Sequence, residues 1–128
     1  MESENNNLKF KYELKRRVYV YCLNVIKLIN YLNQKDSVVQ IISKQFLRSA
    51  TSIGANIVEA QSGRTKRDFT NYLCYALKSA NETNFWFGLL RDSKKVDLEK
   101  INPLIKETNE FAKILGSSVL TLKRKKYF

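Results

Sequence analysis

Two carboxylates in this sequence, Glu59 and Glu82, stand where a folded chain would turn them inward. A facing carboxylate pair can exchange a proton or hold a metal ion, although two carboxylates alone make a sparse ligand set. Their neighbours suggest a different use. Ser52, Asn56 and Glu59 step by four and three residues, and Ser79, Glu82 and Trp86 by three and four, so each triplet shares one face of a helix. On antiparallel neighbours the two polar patches meet. Buried polar groups must be paired, so Ser52, Asn56, Glu59, Ser79 and Glu82 read as a hydrogen-bonded network that fixes register, in preference to a ligand site. Other catalytic chemistry finds little support. The chain has no histidine, which excludes His-dependent triads, His zinc sites and the Glu-x-x-His di-iron motif. Gly63-Arg-Thr-Lys66 lacks the spacing of a phosphate-cradling loop. Cys22 and Cys74 lie far apart inside apolar runs and read as reduced, buried thiols of a cytosolic protein. No catalytic residue, metal or cofactor is expected, and the chain reads as a binding or assembly module and not an enzyme.

The other chemistry on offer is charge. Lys and Arg number 23 against 12 acids, a net +11 with a pI near 9.7, in the range that flags nucleic-acid binders. The excess is +3 over residues 1–36, +1 over 37–63, +2 over 64–92 and +5 over 93–128. Three clusters are candidate phosphate contacts: Lys15, Arg16 and Arg17; Arg64, Lys66 and Arg67; and Lys123, Arg124, Lys125 and Lys126. The second sits where a helix would begin, and free backbone N–H groups favour anions there. Tyr127 and Phe128 follow the third and offer rings on which bases can stack. Any one cluster alone is more often a solvated face than a site.

Four amphipathic segments must position these groups. Leu14, Val18, Tyr21, Val25, Leu28 and Leu32 recur at steps of three and four, predicting a helix over about 10–33. Val39, Ile42, Phe46, Ala50, Ile53, Ile57 and Ala60 do the same over 37–62. Ser37 and Gln40 make a capping box there, and Gly63 stands at the helix C-terminus. Phe69, Tyr72, Ala76, Ala80, Thr83, Phe87 and Leu90 mark a third helix over 65–92, capped by Thr65 with Asp68 in its first turn. Ile101, Ile105, Thr108, Ala112, Leu115, Val119 and Leu122 mark a fourth over 97–125, starting at Asp97 or at Asn102-Pro103. With four glycines and one proline in 128 residues, the prediction is one all-α domain over 1–128, an antiparallel up-down-up-down four-helix bundle. The N-terminus has no signal-peptide core, and Val18–Leu32 is too short and too interrupted to span a bilayer. A cytoplasmic location and no membrane partner are therefore expected.

Val18–Leu23 and Phe85–Leu90 are apolar on more faces than one core needs. A second copy of the chain is the simplest cover, ahead of the N-terminal arm folding over them.

The run Ser52-Ile-Gly-Ala-Asn-Ile-Val-Glu-Ala60, then Gly63-Arg64, Asp68-Phe69 and Ala76-Leu-Lys-Ser-Ala-Asn-Glu-Thr-Asn-Phe-Trp86, closely resembles the bacterial four helix bundle protein family, also called the S23 ribosomal or 23S rRNA intervening-sequence protein family. The resemblance covers nearly the whole chain. Asn56, Glu59, Ser79 and Glu82 match its pattern, while Ala60 stands where a glycine is common. It implies a four-helix bundle that assembles as a ring-like homopentamer, encoded within rRNA-gene insertions or free-standing. A related branch, the accessory proteins of diversity-generating retroelements, binds nucleic acid and a reverse transcriptase. The resemblance implies no catalytic role for any residue. The expected function is thus a non-enzymatic, oligomeric nucleic-acid-binding module, RNA or DNA with structured RNA favoured. The alternative is a homo-oligomeric scaffold that docks a protein partner.

Overall fold

A computed structural model of the chain describes the backbone of residues 2–63 and 65–125 and the side chains of residues 9–63 and 65–124. Four helices follow in order: α1 (Glu2–Tyr31), α2 (Ser37–Gln61), α3 (Lys66–Asp92) and α4 (Leu98–Lys125). Each packs on its neighbours in sequence, and α4 returns to α1. No diagonal pair touches among the described residues, and α1 and α4 meet least closely. The result is the expected antiparallel bundle. No described helix is long and apolar enough to cross a membrane.

The periodicity that predicts the helices also builds the core. Every seam residue of α1 and α2, from Leu14 to Leu32 and from Val39 to Ala60, is buried. In α3 and α4 the core stripe is wider than two positions per heptad. Leu73, Leu104 and Phe111 take core positions, while Phe69, Tyr72, Ile105, Ala112 and Leu122 flank them half-buried. A helix of 3.6 residues per turn drifts away from a strict 3.5 repeat, which brings in such intermediate positions. Tyr21 meets Phe111 edge-on at 5.2 Å, and Phe46 meets Phe87 at 5.0 Å, so aromatic pairs tie α1 to α4 and α2 to α3.

The helix ends differ from the sequence reading at three places, and at a fourth the structure chooses between two readings. α1 begins at Glu2 and not near residue 10, because no glycine or proline precedes Gly54 to stop it. Asp36, and not Ser37, caps α2, its carboxylate accepting from the amides of Val38 (2.9 Å) and Val39 (3.2 Å). Gly63 does not adopt the left-handed conformation of a C-terminal glycine. Ser62 caps α2 instead, and a Cβ on Gly63 would lie 3.1 Å from the Ala60 carbonyl oxygen and 3.3 Å from the Phe69 nitrogen. The glycine is there for close approach. Finally, α4 starts at Leu98, with the Asp97 carbonyl accepting from Lys100 and Ile101, so Asn102 is not the start and Pro103 lies within the helix. The lost amide bond falls at Glu99, an exposed residue whose carbonyl water can serve. Thr65 caps α3 as expected, accepting from the Asp68 amide at 3.0 Å.

Candidate nucleic-acid interface and polar core

The α2–α3 contact carries a ladder of polar rungs. Arg48 pairs with Glu82, the Ser49 and Thr83 hydroxyls lie 2.7 Å apart, and those of Ser52 and Ser79 lie 2.9 Å apart. The residue numbers of each rung sum to nearly the same value, as one antiparallel register requires. Asn56 Nδ2 donates to the Ser52 carbonyl (2.8 Å) and hydroxyl (3.1 Å). The Glu82 carboxylate also accepts from the Trp86 indole at 2.9 Å. The Trp86 bond first and the Arg48 bond second hold Glu82 below the ordinary carboxylate range. Ser52, Asn56 and Ser79 thus form one hydrogen-bonded set, and Glu82 joins Arg48 and Trp86 in a second beside it.

Glu59 is not part of it. It lies exposed on α2 and makes no hydrogen bond among the described residues, so the inward-carboxylate reading fails for it. Glu59 keeps the helical face of Arg48 and Ser52 but stands nearer the α2 C-terminus, where it is exposed. No group of three or more metal-ligating side chains occurs among the described residues. Arg48 is the network member the sequence reading missed. It stands four residues before Ser52, as Asn56 stands four after, so the spacing contained the signal. Cys22 and Cys74 are free and only half-buried, and burial pushes the Cys22 thiol up.

The basic clusters lie in the half of the bundle that holds the α2–α3 connection. Gln61, closing α2, donates to the Lys11 carbonyl at 2.8 Å. The Lys11 ammonium lies 5.3 Å from the Phe69 ring centre in the first turn of α3. A small gap of about 140 Å³ between Leu14, Ile57, Leu73 and Leu115 shows all four helices meeting at this level. Lys66 and Arg67 in the first turn of α3 and Lys123 and Arg124 in the last turn of α4 are exposed, and Lys15 and Arg16 are exposed a turn beyond Lys11 towards the middle of α1. Arg64, the Lys125 side chain and Lys126 lie outside the described residues, as do Tyr127 and Phe128. Thr65 and Asp68 already serve the start of α3, so contacts at that terminus fall to the Lys66 and Arg67 side chains.

Arg17 is placed differently from its neighbours. Its Nε and Nη2 donate to Glu107 at 2.8 and 2.5 Å, and its guanidinium lies 5.2 Å from the Phe111 ring centre. It ties α1 to α4 and is not free like Lys15 and Arg16. The Glu107 bond also raises its pKa, so its charge is fixed.

The opposite end of the bundle is balanced. Residues 33–36 and 92–100 hold Lys35, Lys94, Lys95 and Lys100 against Asp36, Asp92, Asp97 and Glu99. Lys95 reaches Asp36 at 2.7 Å, and Tyr31 donates to Asp97 at 2.8 Å. The Lys95 bond, followed by the cap amides, holds Asp36 below its ordinary range.

These features define an all-α four-helix bundle with a polar seam between its two middle helices, one basic end and one neutral end. No protein of curated function is similar to the chain. Residues 11–117 match the family described as 23S rRNA-intervening sequence protein, and the chain belongs to that family. A solved structure resembles it closely. That protein, of unknown function, is from the S23 ribosomal protein family of Bacteroides thetaiotaomicron VPI-5482. It is 35% identical over 85% of this chain and 96% of that chain, with a TM-score of 0.77.

Proposed function

We propose that the protein is a non-enzymatic, oligomeric nucleic-acid-binding module of the cytoplasm, with structured RNA favoured over DNA. The carrying observation is that Lys15, Arg16, Lys66, Arg67, Lys123 and Arg124 are exposed in one half of the bundle while the opposite end is balanced. Cations grouped this way focus a field on a polyanion. The family's description, which names an rRNA intervening sequence, tips the choice toward RNA.

Assembly is part of the reading. Tyr19, Leu23 and Ile26 form an exposed stripe on α1, and Phe85 and Leu89 another on α3. α1 and α3 are diagonal in the bundle, so the stripes face opposite flanks. A head-to-tail contact between unlike patches builds a ring when the rotation closes, and the family resemblance implies five copies. Cyclic symmetry then points every basic end to the same side of the ring.

Phosphate contacts release counterions, so log affinity should fall against log salt with a slope of about −0.7 to −0.9 per contact. Replacing Lys123, Arg124, Lys125 and Lys126 with glutamine should weaken binding to all sequences alike and flatten that slope. Fluorescence anisotropy with RNA hairpins, single strands and duplex DNA tests this. Absence of binding to all three at low salt would move the reading to a protein-docking scaffold. Light scattering tests assembly, and a monomer at micromolar concentration would rule out the ring.

A further inference from the structure

The loosest seam of the bundle, between α1 and α4, is an open groove of about 1010 Å³. Two cross-links span it, and Glu13, Arg16 and Glu110 extend it past the first. At one end Arg17 bridges to Glu107. At the other, Tyr31 donates to Asp97, with the Lys100 ammonium 4.5 Å from its ring centre. Fourteen residues of α1 separate the two rungs, which is roughly 21 Å or four helical turns. The floor is apolar: Val20 is 46% exposed, and Tyr21, Leu28 and Leu104 close the bottom. Lys27 stands on the α1 wall and Lys100 and Lys106 on the α4 wall, with Arg16 beyond the Arg17 rung. Of the three acids at the groove, Glu107 is taken by Arg17, leaving Glu13 and Glu110 near that same end.

We propose that this groove docks an amphipathic helix of a partner protein, about four turns long, with apolar residues on one face and acidic residues on its flanks. The length between the rungs matches such a helix, the floor takes its apolar i, i+3, i+4 and i+7 side chains, and the lysine walls complement acidic flanks. A nucleic-acid strand fits less well, because phosphates would be held over Val20, Leu28 and Leu104, where nothing replaces their hydration. A second copy docking by this same groove would set Lys27, Lys100 and Lys106 against their own counterparts. The inference does not depend on nucleic-acid binding by the basic clusters, with which the groove shares only Arg16 and the bridged Arg17.

The probe is a fluorescein-labelled 16-residue helical peptide with leucine at i, i+4, i+7 and i+11 and glutamate on its flanks. Its control has lysine in place of every glutamate. The glutamate peptide should bind the whole protein at micromolar concentration and the lysine peptide should not. Val20→Glu should weaken binding at least tenfold, and Lys106→Glu, at an exposed site, severalfold. Neither change disturbs the core, and circular dichroism verifies the fold of each variant. No binding of the glutamate peptide, equal binding of both peptides, or unchanged affinity in both variants overturns the proposal. So does loss of RNA binding in Val20→Glu without any peptide binding by the wild type, which would assign the groove to nucleic acid.

Discussion

Thr83→Val is a nearly volume-neutral change at a fully buried position, and the structure dictates why it should be costly. Thr83 Oγ1 lies 2.7 Å from the Ser79 carbonyl and 2.7 Å from the Ser49 hydroxyl. A hydroxyl has one proton. If Thr83 gives its own to the carbonyl, Ser49 must supply the proton between the two side chains. Valine removes that acceptor. Ser49 is 1% exposed, and its remaining acceptor, the Phe46 carbonyl, lies at a poor 3.4 Å. An unsatisfied buried hydroxyl costs about 1–3 kcal/mol, and a domain of this size loses roughly 3–5 °C of Tm per kcal/mol. Ser49→Ala should cost less, because Thr83 keeps its bond to Ser79. The double variant Ser49→Ala/Thr83→Val should be more stable than the sum of the single changes, with a coupling of about 1 kcal/mol. Urea and thermal melts followed by circular dichroism decide this at one fixed protein concentration, since assembly links stability to concentration. A Thr83→Val protein that melts like the wild type, or a double variant with strictly additive loss, refutes the assignment.

Three further outcomes follow from the same coordinates. Lys94 has φ 60° and completes the α3 terminus, its amide bonding to Arg91 and that of Lys95 to Leu90; Lys94→Gly should relieve left-handed strain and stabilise by about 0.5–1 kcal/mol in a urea melt. Glu82 and Asp36 both have lowered folded-state pKa values, so their stabilisation is present above the ordinary carboxylate range and lost as pH falls through the folded values; Glu82→Gln should flatten the acid limb of the Tm-against-pH curve, and an unchanged limb counts against the Arg48–Glu82–Trp86 cluster. Tyr21, buried and bonded to Thr108 at 2.6 Å, titrates well above its ordinary value because burial disfavours the phenolate, so ultraviolet titration of the wild type against Tyr21→Phe should show Tyr21 protonated until the protein unfolds.

The helices were legible because burial is written into spacing. The α1 and α2 seams were readable to the last residue, and even the β-prone run Val18–Leu23 joined a helix because its seam continued on both sides. Caps were less legible, since Asp36 and Ser37 are both good capping residues and only the chain's path out of α1 decides between them. The polar seam was half legible. Its register followed from Ser52 and Ser79, but sharing a helical face does not give each residue a partner across it: Arg48 meets Glu82, while Glu59 on the same face is exposed near the α2 C-terminus. Arg17 could not be separated from Lys15 and Arg16 in sequence. Its role depends on Glu107, 90 residues away, which only the fold brings close.

The placement of charge separates the two ends of the bundle by physical role. At the neutral end, ion pairs and the Asp36 cap hold two interhelical connections together, so charge there is consumed locally. At the basic end the exposed lysines and arginines on α1, α3 and α4 outnumber the nearby acids Glu13, Glu59 and Asp68, and folding alone gives no reason to gather them. Like charges brought together destabilise the compact state. A bundle that concentrates them at one end therefore loses stability there unless an anion neutralises them. In the proposed ring the same conflict would be sharper, because cyclic symmetry repeats these cations in every copy. Added polyanion should for that reason raise the Tm of the wild type more than that of the Lys123–Lys126 glutamine variant, and at high salt the difference should vanish. Equal shifts in both proteins would show that the basic end is not where the anion acts.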